Sequence, residues 1–232
     1  MRKLLLLLAT LAVSSYCLPQ SKPGAIGPSA VWQPPTSFLT GVRAACGNPL
    51  SERKDNKCLI DQMSKAGASA DAINFTREFY KESHGDIGIM TGFNRVGPVD
   101  IAWVVYPTHN PRNYGLFLVN GDPKLVNTEN LKQLDQNAMQ KSFQYQSLQS
   151  QFPKVGLWPG DRDGQTWPNS QAGLSGGLQF IVGYPLRNGC QTCAHAGFAL
   201  FTWNFTADGK FTGTSFMGLT PAPLTNPTPS QQ

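Results

Sequence analysis

The chain has 232 residues, of which only 14% are charged, and its 19 Lys and Arg against 14 Asp and Glu give a formal net charge of +5. So small an excess, scattered as in Arg53, Lys54 and Lys57 or Lys132 and Lys141, argues against nucleic acid as a partner, because no dense basic run stands beside stacking aromatics.

The N-terminus reads as an export signal. Basic Arg2 and Lys3 precede an apolar run from Leu4 to Val13, and small polar Ser14 and Ser15 follow. A run of about ten apolar residues is half of what a membrane-spanning helix needs, and no later segment is apolar enough to span. Residues 1–17 are therefore expected to be cleaved, leaving Ser15 and Cys17 at the small-residue positions and Leu18 as the first mature residue. Lipid anchoring at Cys17 is disfavoured, since Tyr16 precedes it and Ser14 stands where a lipoprotein signal has leucine. The expected location is periplasmic or secreted. Loss of Arg2 and Lys3 lowers the formal charge by two, to +3.

Cleavage also leaves an even set of cysteines, Cys46, Cys58, Cys190 and Cys193, which in an oxidising compartment suggests two disulfides. Local pairing, Cys46 with Cys58 and Cys190 with Cys193, is favoured over the other two connectivities because each bridge closes a short loop.

Residues 18–37 carry Pro19, Pro23, Pro28, Pro34 and Pro35 and read as a flexible leader; residues 219–232, with Pro221, Pro223, Pro227 and Pro229, read as a disordered tail. Residues 38–218 remain for a single domain, long enough to bury a real core. Its first part is helical: a short helix over 58–65, then a stronger one capped by Ser69 and running to Glu82, with Ala72, Ile73, Thr76, Phe79 and Tyr80 on one face and Gly85 as the stop. Strands follow over 87–93, 99–106 and 115–119, punctuated by Gly97-Pro98 and His109-Asn110-Pro111. Thr128 is expected to cap a second helix through Leu131, Leu134 and Ala138 toward Leu148, ending before Pro153. After a turn-rich loop over 157–169, strands are expected over 177–185, 194–205 and 210–219, the last two joined at Asp208-Gly209. Phe198 and Leu200 on one face and Phe201, Trp203 and Phe205 on the other predict a strand covered on both sides. The sum is an α+β fold, an antiparallel sheet of about five to seven strands with helices packed on it.

The stretch YPLRNGCQTCAHAGFALFTWNF with the following DGKFTGT, together with VDIAWVVYP and LWPGDRDG, resembles a family of uncharacterised bacterial exported proteins, over about 86–219 of the chain. The resemblance implies a bacterial exported protein and no particular chemistry.

Several motifs carry candidate chemistry. Cys190 and Cys193 with His195 offer a redox dithiol or a metal half-site that His84 or His109 would complete. Against redox work, the pair lies between two expected strands, without the helix N-terminus that stabilises a thiolate. Against covalent haem, Ala194 rather than histidine follows Cys193. Against a metal, no second cysteine-rich half-site exists, which leaves a structural bridge as the favoured reading. Gly173-Leu174-Ser175-Gly176-Gly177 matches a nucleophile elbow in letters, but Ser175 leads into a strand and not a helix. Asp161 and Asp163, flanked by Trp158 and Trp167, are candidates for binding calcium or a sugar, although the calcium pattern lacks its later glutamate. Asn74 and Asn204 open glycosylation sequons, the second inside an expected strand.

No cofactor is called for. The reading favoured is a non-catalytic binding or interaction module of the cell envelope or the extracellular space, with an envelope protein or small ligand as partner. The alternative is a thiol-redox or metal protein built on Cys190, Cys193 and His195; a hydrolase using Ser175 or the aspartate loop ranks third.

Overall fold

A computed structural model describes residues 24–46, 56–107, 114–159, 168–190 and 192–221. Three helices open the domain: α1 (Thr36–Cys46), α2 (Lys57–Lys65) and α3 (Ala70–Glu82). Helix α3 starts where the Ser69 hydroxyl accepts the Ala72 N–H, satisfying one of the donors a helix leaves free at its start. It ends at Gly85, whose φ of 112° lets its N–H turn back to the Tyr80 carbonyl. The three helices bury Phe38, Val42, Leu59, Met63 and Ala72 against Ile87, Ile89 and Val105. A Cys46–Cys58 disulfide ties α1 to α2 with Cα atoms 5.8 Å apart. Replacing both cysteines by serine is expected to lower stability by about 3 kcal/mol, read as a shift of the urea midpoint, because the bridge removes freedom from the unfolded chain.

The first sheet is antiparallel in the order β1 (Ile89–Asn94), β2 (Asp100–Val105), β3 (Tyr114–Val119), β4 (Leu125–Asn127). Two short helices then follow, α4 (Gln136–Lys141) and α5 (Phe143–Gln151). The second sheet runs β5 (Val155–Leu157), β7 (Leu178–Asn188), β8 (His195–Phe205), β9 (Phe211–Pro221), and β6 (Asn169–Ala172) also pairs with β7.

Alternation along the strands sorts the side chains into layers. Ala102, Val104, Phe117 and Val119 turn toward α3 and meet Phe75 and Phe79. Ile101, Leu116 and Leu118 turn the other way and meet Phe180, Tyr184, Leu186, Phe201 and Trp203 of the second sheet. The fold is thus α+β in three layers, helices on one sheet and that sheet on another. Between the sheets, Trp203 Nε1 donates to Tyr184 Oη at 2.9 Å, and Tyr184 Oη donates to the Thr128 carbonyl at 2.7 Å, so the buried polar atoms are paired.

The sheets are also joined through backbone. Asp122 N–H donates to the Gly209 carbonyl and Phe211 N–H to the Asp122 carbonyl, both at 2.8 Å. A Cβ on Gly121 would stand 2.7 Å from that Gly209 carbonyl oxygen. Gly121→Ala should therefore force the joint apart and cost about 1–3 kcal/mol, measurable as a lowered melting temperature.

Several differences from the sequence reading have physical causes. The strands form two stacked sheets where one sheet was expected, and the strands covered on both faces are β2 and β3; β8 lies centrally and buries Ala196, Ala199, Phe201, Thr202, Trp203 and Phe205, leaving Phe198 and Leu200 half-exposed. The second helix is broken, since Asp135 and Ser142 each cap a fresh start by accepting the N–H of Ala138 and Tyr145. Thr128 is no cap; it is buried, and its hydroxyl donates to the Leu116 carbonyl at 2.8 Å. The Pro-rich segment is docked from Gly24 onward, with Ile26 and Ala30 buried. Asn120 holds Ile26 by accepting its N–H at 2.7 Å and donating to its carbonyl at 2.9 Å, and Trp32 N–H bonds the edge of β1 at Met90. At the other end β9 continues to Pro221, three residues beyond the expected stop at Gly218.

Candidate functional site

On the outer face of the second sheet, polar and aromatic side chains are set in order across the strands. The described helices lie elsewhere: α1 to α3 pack beyond the first sheet, and α4 begins at the inner rim, where Asp135 N–H meets Thr214 Oγ1. On β7 the inward positions are Phe180, Val182, Tyr184 and Leu186, which puts Gln179, Ile181, Gly183 and Pro185 on the outer face, with Pro185 itself buried there.

Register then fixes rungs across the strands. Gln171 of β6 opposes Gln179, and Gln179 opposes Asn204 of β8. Their side chains form a chain of bonds: Gln171 Nε2 donates to Gln179 Oε1 at 3.1 Å, Gln179 Nε2 to Asn204 Oδ1 at 2.9 Å, and Asn204 Nδ2 to Ser215 Oγ of β9 at 3.2 Å. Ile181 with Thr202 and Gly183 with Leu200 make the middle rungs. At the far end Pro185 opposes Phe198, and Trp158 N–H donates to the Pro185 carbonyl at 3.0 Å. One residue beyond β5, Trp158 alternates onto this same outer face and is half-buried. His195 meets Phe198 edge to face with centroids 4.4 Å apart, which steadies the Phe198 ring.

The Cys190–Cys193 pair lies just past this end, in the turn between β7 and β8, and is joined as a disulfide with Cα atoms 5.0 Å apart. Both local pairings expected from the sequence are present. A disulfide sulfur is no thiolate, so in this form the pair is neither nucleophile nor metal ligand. Arg187 Nη1 donates to the Cys193 carbonyl at 3.3 Å. Burial and the neighbouring Arg187 cation lower the pKa of His195, and its Nε2 is buried without a hydrogen-bond partner. Among the described residues no three His, Cys, Asp or Glu side chains gather to hold a metal.

The remaining sequence candidates separate. Asp161, Asp163, Trp167 and His109 lie outside the described residues. His84 sits at the end of α3 with φ of 58°. Ser175, with φ of 55°, is in a turn joining β6 to β7, and the strand-to-helix setting of a nucleophile elbow is missing there. Asn204 is engaged in the amide chain, and Asn74 is exposed on α3, accepting from Arg77 Nη1 at 3.1 Å.

Three features escaped the sequence reading. Glu129, in the turn after β4, has its carboxyl pKa pushed up to about 8 by burial. A pocket of about 200 Å³ opens between residues 24–30 and α3, where Glu78 pairs with Lys124. The amide chain escaped as well, because its members are spread from Gln171 to Ser215 and looked like ordinary outward-facing polar residues. Comparison with protein-family models, with characterised proteins and with solved structures gives no match.

Proposed function

We propose that this chain is an exported binding module of the cell envelope or extracellular space, acting by contact and not by catalysis. The observation that carries the proposal is the outer face of the second sheet. It holds an ordered amide chain at one end and Trp158 with Phe198 at the other, on a sheet whose inner face is fully packed. Recognition needs such groups held in place by a rigid scaffold, and here the scaffold is the sandwich beneath them. The leader-like residues 1–17 and the two disulfides support the exported part of the reading.

Both parts are tested on protein recovered from the exported fraction. Its intact mass should correspond to a chain starting near Leu18, with four cysteines that resist alkylation until reduced. Retained residues 1–17 or freely alkylated thiols would overturn export into an oxidising compartment. The purified mature protein should sediment with isolated envelope material, and Phe198→Asp should weaken this by tenfold or more without altering the circular dichroism spectrum. Equal sedimentation of the variant would remove the outer face from the proposal.

A further inference from the structure

We infer that the outer face of the second sheet takes a neutral polysaccharide; the inference rests on the binding-module reading and adds the chemistry of the ligand. It starts from what the amides have left over. A side-chain amide carries two N–H donors and a carbonyl with two lone pairs. In the chain from Gln171 through Gln179 and Asn204 to Ser215, Gln179 spends one donor and one lone pair on its neighbours, and so does Asn204. Each therefore keeps one donor and one acceptor on the same planar group. Adjacent hydroxyls of a sugar ring present the matching pattern, each able to give and to accept a hydrogen bond.

The bonds along the chain also fix the amide planes before any ligand arrives. Ordering a free glutamine or asparagine on binding costs conformational entropy, and the chain of bonds has already met that cost in folding.

Charge narrows the ligand further. From the amide rung to the aromatic rung, the outward positions are Gln179, Ile181, Gly183 and Pro185 on β7 and Asn204, Thr202, Leu200 and Phe198 on β8, none of them ionisable. A ligand whose recognition rested on phosphate, carboxylate or ammonium would find no counter-charge along those positions; the nearest cation, Arg187, follows beyond Pro185 and donates to the Cys193 carbonyl.

At the opposite end, half-buried Trp158 and Phe198 flank the buried Pro185, and the two aromatic rings offer flat apolar surface. Sugar rings carry C–H groups on one face and hydroxyls at the edge, so they stack on such surface while the hydroxyls seek partners. Six residues of β7 separate the two rungs, about 20 Å at the rise of a strand, and the amide rung crosses four strands, about 14 Å. Those dimensions suit several linked sugar units lying along the sheet, not one monosaccharide.

The experiment uses the full mature chain in native gels cast with soluble dextran, xylan, glucomannan, galactomannan or mixed-linkage β-glucan, and in sedimentation with cellulose, chitin and isolated envelope material. Retardation or co-sedimentation with at least one neutral polysaccharide is expected, and Trp158→Ala and Gln179→Ala should each weaken it about tenfold. Both positions are at the surface, and Asn204→Ala supplies a second amide variant should Gln179→Ala disturb the sheet. Binding to envelope material should survive protease treatment and be lost after periodate, which cleaves adjacent diols.

Binding to envelope that is lost on protease treatment and unaffected by periodate means a protein partner; it overturns the polysaccharide and leaves the binding module standing. Failure on every polysaccharide with retention on envelope does the same. Failure on envelope and polysaccharides alike removes both readings.

Discussion

Replacing Trp203 by alanine is expected to cost about 3–5 kcal/mol of folding stability, the largest effect of any single substitution considered for this protein. Trp203 has no exposed surface, stacks on Phe211 with centroids 5.5 Å apart, and stands in the cluster that joins the two sheets. Truncation would leave a cavity walled by residues of both sheets, and close-packed sandwiches collapse only partly into such a space. The polar part of the loss is smaller. Tyr184 Oη would lose the Nε1 donor but keep its own bond to the Thr128 carbonyl. Tyr184→Phe inverts the balance, preserving the packing while leaving the buried Trp203 N–H without its acceptor, for about 1–3 kcal/mol. Guanidinium unfolding of both single variants and the double variant checks this. The double should cost less than the sum, since the two side chains share one bond. A Trp203→Ala cost under about 1 kcal/mol would mean that the two sheets do not share a core.

How far the sequence disclosed this arrangement depended on whether the deciding contacts were local. Helix α3 was legible because its cap at Ser69, its apolar spacing and its stop at Gly85 lie within one short stretch, and each does in the fold what its residue type suggests. The β8–β9 hairpin was legible for the same reason, through Asp208 and Gly209. The division into two sheets was not. It depends on contacts such as Asp122 with Gly209 and Leu116 and Leu118 with the cluster of Phe180 and Trp203, which no periodicity encodes. The break between α4 and α5 was readable in principle, since Asp135 and Ser142 are both strong capping types; the spacing of Leu131, Leu134 and Ala138 outweighed them. Of the candidate site, Trp158 was singled out from the sequence, whereas Gln171, Gln179, Asn204 and Ser215 acquire meaning only when register brings them onto one rung.

The stability of the protein should fall as pH rises through neutrality, and Glu129→Gln should abolish that fall. Burial raises the Glu129 carboxyl from an ordinary value of 4.5 to about 8; burial also pushes the hydroxyls of Tyr106 and Tyr184 upward, and the Glu129 charge adds to that push. Asp86 also acts on Tyr106, so both acids oppose ionisation of that phenol. Below the ordinary carboxyl range Glu129 is neutral folded and unfolded, and it takes nothing from stability. Between that range and pH about 8 the folded chain holds a proton that the unfolded chain has released, so each rise in pH favours unfolding, by at most about 1.4 kcal/mol per pH unit. Above pH 8 the folded carboxylate is ionised too, and the loss levels off with the charge held away from water. Glutamine keeps the shape and never ionises. The variant should therefore match the parent near pH 4 and melt several degrees higher at pH 9. Parallel melting curves across this range would mean that water reaches the carboxylate, and a carboxyl carbon-13 titration of Glu129 in the folded protein would then show a midpoint near that of a free glutamate.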